Sequence, residues 1–292
     1  MQPLRGSGQI YFTGGFSPDG QTFAAGGTGH VVELWNLADP SALARQIDTD
    51  GVAVTFANYT PAGDLVVARM RKAFLLVPPD GEVSSTWIEP LWVVRAALCA
   101  DGTKLATAGD GAVVWEVGTE FRLLRDIPAG PGEFFTAVAI SPDGRQFASA
   151  RVLIEGETVI EVWDVTGDSS RLVAVEGTRV NQLAWSPDGR YLAGLVDMHL
   201  TVWATETWEE VFGPLPDQEH GTLLSVAFHP VSDQLLTGGA DGVVSCWDMN
   251  SWHQLTSYRW DIGPIYCLAF AADGLRAAAA GHGAVILWDF DA

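Results

Sequence analysis

The stretch VNQLAWSPDGRYLAG (Val180–Gly194) carries the reading of the whole chain. An alternating apolar run, Val180 to Trp185, meets Ser186-Pro187-Asp188-Gly189, and a second alternating run begins at Tyr191. Proline fixes φ at the second position of a type I turn, Asp tolerates the third, and Gly supplies a positive φ at the fourth. Two period-2 runs around such a turn predict a β-hairpin. The same tetrad stands at Ser17–Gly20 and Ser141–Gly144. Degenerate copies are Thr60–Gly63, Cys99–Gly102 and Ala271–Gly274, and His229-Pro230 opens a further copy closed by Asp233. The copies start at 17, 60, 99, 141, 186, 229 and 271, spaced by 39 to 45 residues. Seven in-phase copies define one repeating unit.

Each unit holds more than the hairpin. A third apolar run ends in Trp at Trp35, Trp115, Trp163, Trp203, Trp247 and Trp288, and a weaker fourth run follows, as in Trp208–Phe212. No useful helical periodicity interrupts this pattern, so the predicted class is all-β, with four short strands per unit. Units of this length and order, with Trp-Asp at Trp163-Asp164, Trp247-Asp248 and Trp288-Asp289, resemble the WD-repeat family across essentially the whole chain. The resemblance implies a seven-bladed β-propeller of four-stranded antiparallel blades, residues 1–292 forming one domain. Six or eight blades are the structural alternatives, and seven counted turns leave them little room. Repeat 2 departs most, with Phe74-Leu75-Leu76-Val77 and no Trp.

The last repeat ends at Trp288-Asp289-Phe290-Asp291-Ala292, after its third strand. Leu4-Arg5-Gly6-Ser7 is similar to the end of a fourth strand in the family. Residues near Gln2–Arg5 are therefore expected to add to the edge of the last blade and close the ring. An open sheet edge is the alternative, and Pro3 suits only an outer position.

Composition narrows the function. The 292 residues carry a net charge of −20, with 48% hydrophobic and 18% charged side chains. Such a surface repels phosphate backbones and anionic membranes, so neither nucleic acid nor membrane is an expected partner. The three cysteines, Cys99, Cys246 and Cys267, lie far apart in apolar runs and read as buried thiols in a reducing, cytoplasmic compartment. The N-terminal residues lack the apolar core of a signal peptide.

In the family, a His, a Ser or Thr, an Asp and the Trp form a buried hydrogen-bonded tetrad. His220, Thr237, Asp241 and Trp247 match it in repeat 6. The same residue types could make a nucleophilic triad. Recurrence of the Asp at Asp110 and Asp197 favours the structural role. No catalytic residue, metal ligand or cofactor site is assigned. The turn aspartates sit on different blades and cannot converge on one ion.

The resemblance also implies a partner face, the one bearing the fourth-to-first and second-to-third strand loops. Counting back from each turn places Phe12, Asn181 and Tyr266 in one outward column, and Trp92, Phe134 and Arg179 in another. Aromatics and Arg dominate interface hot spots, although any of these could instead pack between blades. Arg69, Arg71 and Lys72 gather in one hairpin of repeat 2, a plausible contact for an acidic peptide. Repeat 4 has a longer hairpin around Arg151–Thr158, expected to project from the same face. The expected function is a non-catalytic scaffold, monomeric on its own, that holds a protein or peptide on this face. Two alternatives stay open. One is a propeller module of a larger protein. The other is a propeller hydrolase or lyase, which would need carboxylates or histidines at the inner-strand ends.

Overall fold

A computed structural model describes residues 3–39, 43–70, 72–79, 81, 85–86, 92–173, 177–213 and 221–290. Every regular element among them is a strand. Repeat 1 contains β1 (Pro3–Phe16), β2 (Thr22–Gly27), β3 (Val31–Asn36) and β4 (Leu43–Asp48), and repeat 2 contains β5 (Val54–Tyr59), β6 (Leu65–Arg69), β7 (Lys72–Val77) and β8 (Ser85–Thr86). Repeat 3 follows with β9 (Val93–Leu98), β10 (Lys104–Gly109), β11 (Gly111–Glu116) and β12 (Arg122–Pro128). Repeat 4 holds β13 (Phe134–Ile140), β14 (Gln146–Val152), β15 (Thr158–Asp164) and β16 (Ser170–Val173). Repeat 5 holds β17 (Val180–Trp185), β18 (Tyr191–Val196), β19 (His199–Ala204) and β20 (Glu210–Phe212). Repeat 6 has β21 (Leu223–Phe228), β22 (Gln234–Gly239), β23 (Val243–Asp248) and β24 (Gln254–Arg259), and repeat 7 has β25 (Cys267–Phe270), β26 (Arg276–Ala280) and β27 (His282–Asp289). Repeats 2 to 6 are separate four-stranded antiparallel sheets, the blades of a β-propeller, and the remaining strands form one sheet of order β25-β26-β27-β1-β2-β3-β4.

The turns form as their residues dictate. In six of them the glycine N–H donates to the carbonyl three residues back, as in Gly189 to Ser186 at 2.9 Å. Each of these glycines has positive φ, 76° at Gly189. The turn Asp locks the loop. Asp188 Oδ1 accepts from Ser186 Oγ at 2.7 Å and from Arg190 N at 2.9 Å. His229 replaces this device in repeat 6: its Nδ1 accepts from Ser232 N at 2.8 Å and its Nε2 meets Gly274 O at 3.1 Å. That arrangement requires a neutral ring, and burial lowers its pKa.

Packing follows the Trp. Trp35, Trp115, Trp203, Trp247 and Trp288 are buried on third strands. Small residues on second strands, such as Ala24, Ala106, Ala148 and Ala193, let neighbouring sheets approach. In repeat 2, Val77 pairs with Leu65 where the other repeats place Trp, and buried Phe74 packs on Trp115 at 5.7 Å instead. The inner strands β1, β5, β9, β13, β17, β21 and β25 neighbour one another in chain order, and β25 neighbours β1.

Strand β1 is shared. Pro3, Leu4 and Arg5 pair antiparallel with Ile286, Val285 and Ala284 of β27, while Tyr11 to Phe16 pair with β2. Gln2 lies outside the described residues. Leu4 is fully buried in a cluster with Tyr11, Trp35 and Val285. Between the two halves, the wholly buried Glu33 carboxylate accepts from Ser7 N at 2.9 Å, Gln46 Nε2 at 2.9 Å and the Tyr11 hydroxyl. Burial acts to raise the Glu33 pKa. The donors around it outweigh that effect and hold the carboxyl below its ordinary value.

Candidate functional site

One end of the propeller is built by a recurring contact. In repeats 1, 2, 5 and 6 the residue following the second strand donates to the residue seven before the turn: Thr28 N to Ile10 O, Met70 N to Ala53 O, Asp197 N to Arg179 O and Ala240 N to Thr222 O, at 2.7 to 3.0 Å. The second-to-third strand hairpins and the starts of the inner strands therefore share one face. Aspartates tighten it. Asp110 accepts from Trp92 N at 3.2 Å. Asp197 accepts from Thr178 N at 3.0 Å, Thr178 Oγ1 at 2.9 Å and Arg179 N at 2.9 Å. Against the opposing effect of burial, these donors keep the Asp197 carboxyl below its usual range. Repeat 1 uses Gln9 in this role, its Oε1 accepting from Gly29 N at 2.9 Å.

The aromatic candidates divide into two groups. Phe12 and Tyr266 are half-buried and meet edge to face at 5.8 Å, and His282 stacks on Tyr266 at 5.7 Å. Their area is largely committed to one another. Trp92 and Phe134 remain 42% and 49% exposed. Phe134 pairs with Val152 at the base of the long repeat 4 hairpin, whose tip turns at Leu153–Gly156 and carries Ile154, 72% exposed. Asn181 is half-buried, with its side-chain amide against Met198 Sδ at 3.0 Å.

The basic candidates divide as well. Arg69 was expected on an exposed hairpin. It is instead 2% exposed, its Nη1 2.7 Å from Asp50 Oδ2, because β6 is buried along its whole length and turns the side chain inward. Arg71 and the side chain of Lys72 lie outside the described residues. Arg151 is held by Glu161 at 2.9 Å and Glu133 at 3.3 Å, with its guanidinium 5.8 Å from the centre of the Phe135 ring. Burial raises the Glu161 pKa, and Arg151 opposes the rise. Arg179 is exposed and, among the described residues, makes no ion pair.

Of the tetrad, Trp247 Nε1 donates to Thr237 Oγ1 at 2.9 Å, and Trp115 repeats the contact with Thr107 at 3.3 Å. Asp241 accepts from Val243 N at 3.1 Å and pairs with Arg259 at 3.6 Å. His220 lies outside the described residues. Repeats 1 and 7 place Ala25 and Ala279 where Thr237 stands, and the indole N–H groups of Trp35 and Trp288 find no acceptor. This chemistry orders blades. Thr237, its hydroxyl-bearing member, is buried. Among the described residues, no three His, Cys, Asp or Glu side chains gather as metal ligands would.

Sequence reasoning missed two features. Arg95, four residues before its turn, reaches Asn181 O of repeat 5 at 3.3 Å, passing over repeat 4. It is the one charged residue in the column Thr13, Phe56, Arg95, Ala137, Gln182, Ser225 and Cys267, and that was the available signal. The second feature is a cavity of about 500 Å³ at the turn end of the axis, lined by residues of all seven repeats, including Phe16, Tyr59, Ile140, Trp185 and Phe270.

Comparison with known proteins agrees with this architecture. Residues 169–204 and 215–248 match the family model "WD domain, G-beta repeat". The chicken serine-threonine kinase receptor-associated protein is 25% identical over 283 residues, covering 81% of this chain and 79% of its own. The Dictyostelium discoideum periodic tryptophan protein 2 homolog is 25% identical over 215 residues, 67% of this chain and 22% of that protein. Human WD repeat-containing protein 90 is 29% identical over 177 residues, 55% of this chain and 10% of that protein. With the matched repeats and these relatives beside the recurrent Trp and turn geometry, this chain carries WD repeats and is similar to WD-repeat proteins.

Proposed function

We propose that the chain is a non-catalytic interaction platform: a closed, seven-bladed propeller spanning residues 1–292 that holds a protein or peptide on the hairpin face of repeats 3 to 5. Closure is supported by the pairing of Pro3–Arg5 with β27 and by the single axial cavity that all seven repeats line. The observation that carries the binding role is the exposure of Trp92, Phe134 and Ile154 on that face, whereas Phe12 and Tyr266, two positions nearer the turn in repeats 1 and 7, pack on each other. Large aromatics that stay exposed on a rigid frame are anchors for a partner. The printed name of the chicken relative speaks of association with a receptor, a role in keeping with this one. Three buried free thiols fit a reducing, cytoplasmic setting.

Affinity capture with Trp92→Ala, Phe134→Ala and the double variant tests the reading. The double variant should lose the partners that the parent chain retains, with an unchanged far-UV spectrum. Retention of those partners by the folded double variant would place the binding surface elsewhere.

A further inference from the structure

On a protein of net charge −20, Arg95 reaches the backbone two residues from Arg179, and neither arginine is paired with a carboxylate among the described residues. Arg95 projects from β9 and donates through Nε to Asn181 O at 3.3 Å and through Nη1 to Val94 O at 3.1 Å. A guanidinium has five N–H donors. The remaining three have no protein acceptor among the described residues. The carbonyl that Arg95 reaches lies two residues from Arg179, whose own head group is exposed and makes no hydrogen bond or ion pair there. Most other described arginines do find an anionic partner: Arg69 with Asp50, Arg122 with Glu116, Arg125 with Asp168, Arg151 with Glu133 and Glu161, Arg190 with Asp188 and Asp233, and Arg259 with Asp241. Asp197, whose carboxylate meets the Arg179 backbone, is occupied by Thr178 and that backbone N–H.

The pair also repels itself. Surrounding strands and then the charge of Arg179 lower the Arg95 pKa from the ordinary guanidinium value, and the group still remains protonated. Arg95 lies on β9 of repeat 3 and Arg179 immediately precedes β17 of repeat 5, so the separation of their backbones is fixed by the propeller frame. Like charges held together on a rigid frame, with unused donors, are arranged for a compact anion.

From this geometry we infer that Arg95 and Arg179 form an oxyanion site at the axial edge of the hairpin face, one that takes a single phosphate or carboxylate group. The negative field of the rest of the chain disfavours a polyanion. The group therefore comes as a free ion or on a neutral or basic peptide. The inference uses the face on which the proposed partner role rests and names the chemistry that a partner would bring there.

Titration with inorganic phosphate at low ionic strength, followed by calorimetry, tests it on the whole chain. Saturable binding is expected. It should weaken about tenfold in Arg179→Gln and in Arg95→Gln, and disappear in the double variant. Arg122→Gln, which removes an exposed arginine paired with Glu116, should bind as the parent does. Arg179 has no side-chain contact to lose, so its variant keeps the test open should Arg95→Gln fail to fold. Two peptide arms identify the source of the anion. A neutral peptide bearing phosphoserine that binds tighter than phosphate, with the serine form silent, points to a partner-borne group. Equal affinity for the phosphopeptide and free phosphate points to a free ion. Absence of saturation by the folded parent, or equal binding by the double variant, overturns the inference. Failure of the platform reading would appear separately, as partner capture that survives loss of Trp92 and Phe134.

Discussion

Truncation of Leu4 to Ala measures what the N-terminal strand contributes to stability. Leu4 is fully buried between Tyr11, Trp35 and Val285, four residues from the start of the chain. The change removes three carbons, worth about 2.4 kcal/mol at roughly 0.8 kcal/mol per buried carbon. A cavity adds to this where the surroundings cannot collapse, and Leu→Ala changes in cores span about 2–5 kcal/mol. The strand is held on one side by β27 and on the other by the Glu33 bonds to Ser7 and Tyr11, so it can relax only in part. A loss of about 3 kcal/mol is expected. Urea unfolding followed by tryptophan fluorescence reads it as a shift in midpoint at unchanged slope. Leu255→Ala, on an outer strand and 54% exposed, should change stability by less than about 0.5 kcal/mol. A Leu4→Ala loss as small as that of the control would refute the closure argument, because a frayed terminus has nothing to lose.

Three further outcomes are expected. Gly6→Ala places a Cβ against the Tyr11 hydroxyl and the Glu33 carboxylate and pushes that hydrogen-bonded pair apart, so it should destabilise the chain in the same unfolding assay. Arg69→Ala empties a buried site and should cost about 2–4 kcal/mol, whereas Arg179→Ala should stay within about 0.5 kcal/mol; equal effects would return Arg69 to the surface. On acidification, stability should fall in two stages. His229 has a folded pKa below 6.5, so the unfolded chain takes up the proton first and stability declines as pH drops from about 6.5. Asp101, where donors including Cys99 Sγ outweigh burial and bring its pKa to about 2, and Asp19, Asp143 and Asp188, also lowered, stabilise the fold above about pH 4 and lose that contribution as pH falls toward 2. Unfolding midpoints measured across this range check both stages.

The repeat was legible because its turn is local chemistry. Four residues decide the hairpin, and Ser186, Asp188 and Gly189 behave as their side chains require. The hairpin face was legible only in outline. Counting back from each turn fixes which end of a strand a residue occupies, and this located Trp92, Phe134 and Arg179. It cannot tell whether a neighbour lies within reach, and so Phe12 and Tyr266 were grouped with the others although they pack on each other. Arg69 was misjudged for the same reason: the basic run Arg69–Lys72 reads as solvated, while pleating turns its first member inward against Asp50. Arg95 went unremarked because its column otherwise serves contacts between repeats, as Gln182 does with Val226 at 3.1 Å. A long cation in that column overshoots its neighbour, and only the assembled blades reveal where it arrives.

The sharing of β1 between the first and last repeats has a consequence for biogenesis. Residues 3–5 find their partners at 284–286, almost the full chain length away. At about 5–20 residues per second, translation leaves Leu4 and the first half of β1 unpaired for roughly 15–60 s. During that interval six repeats can stack while the strand that carries Leu4 waits without its β27 partner. The last thirty residues thus act as a timer for solubility. Nascent chains stalled before residue 284 would leave Leu4 unpaired and exposed to water.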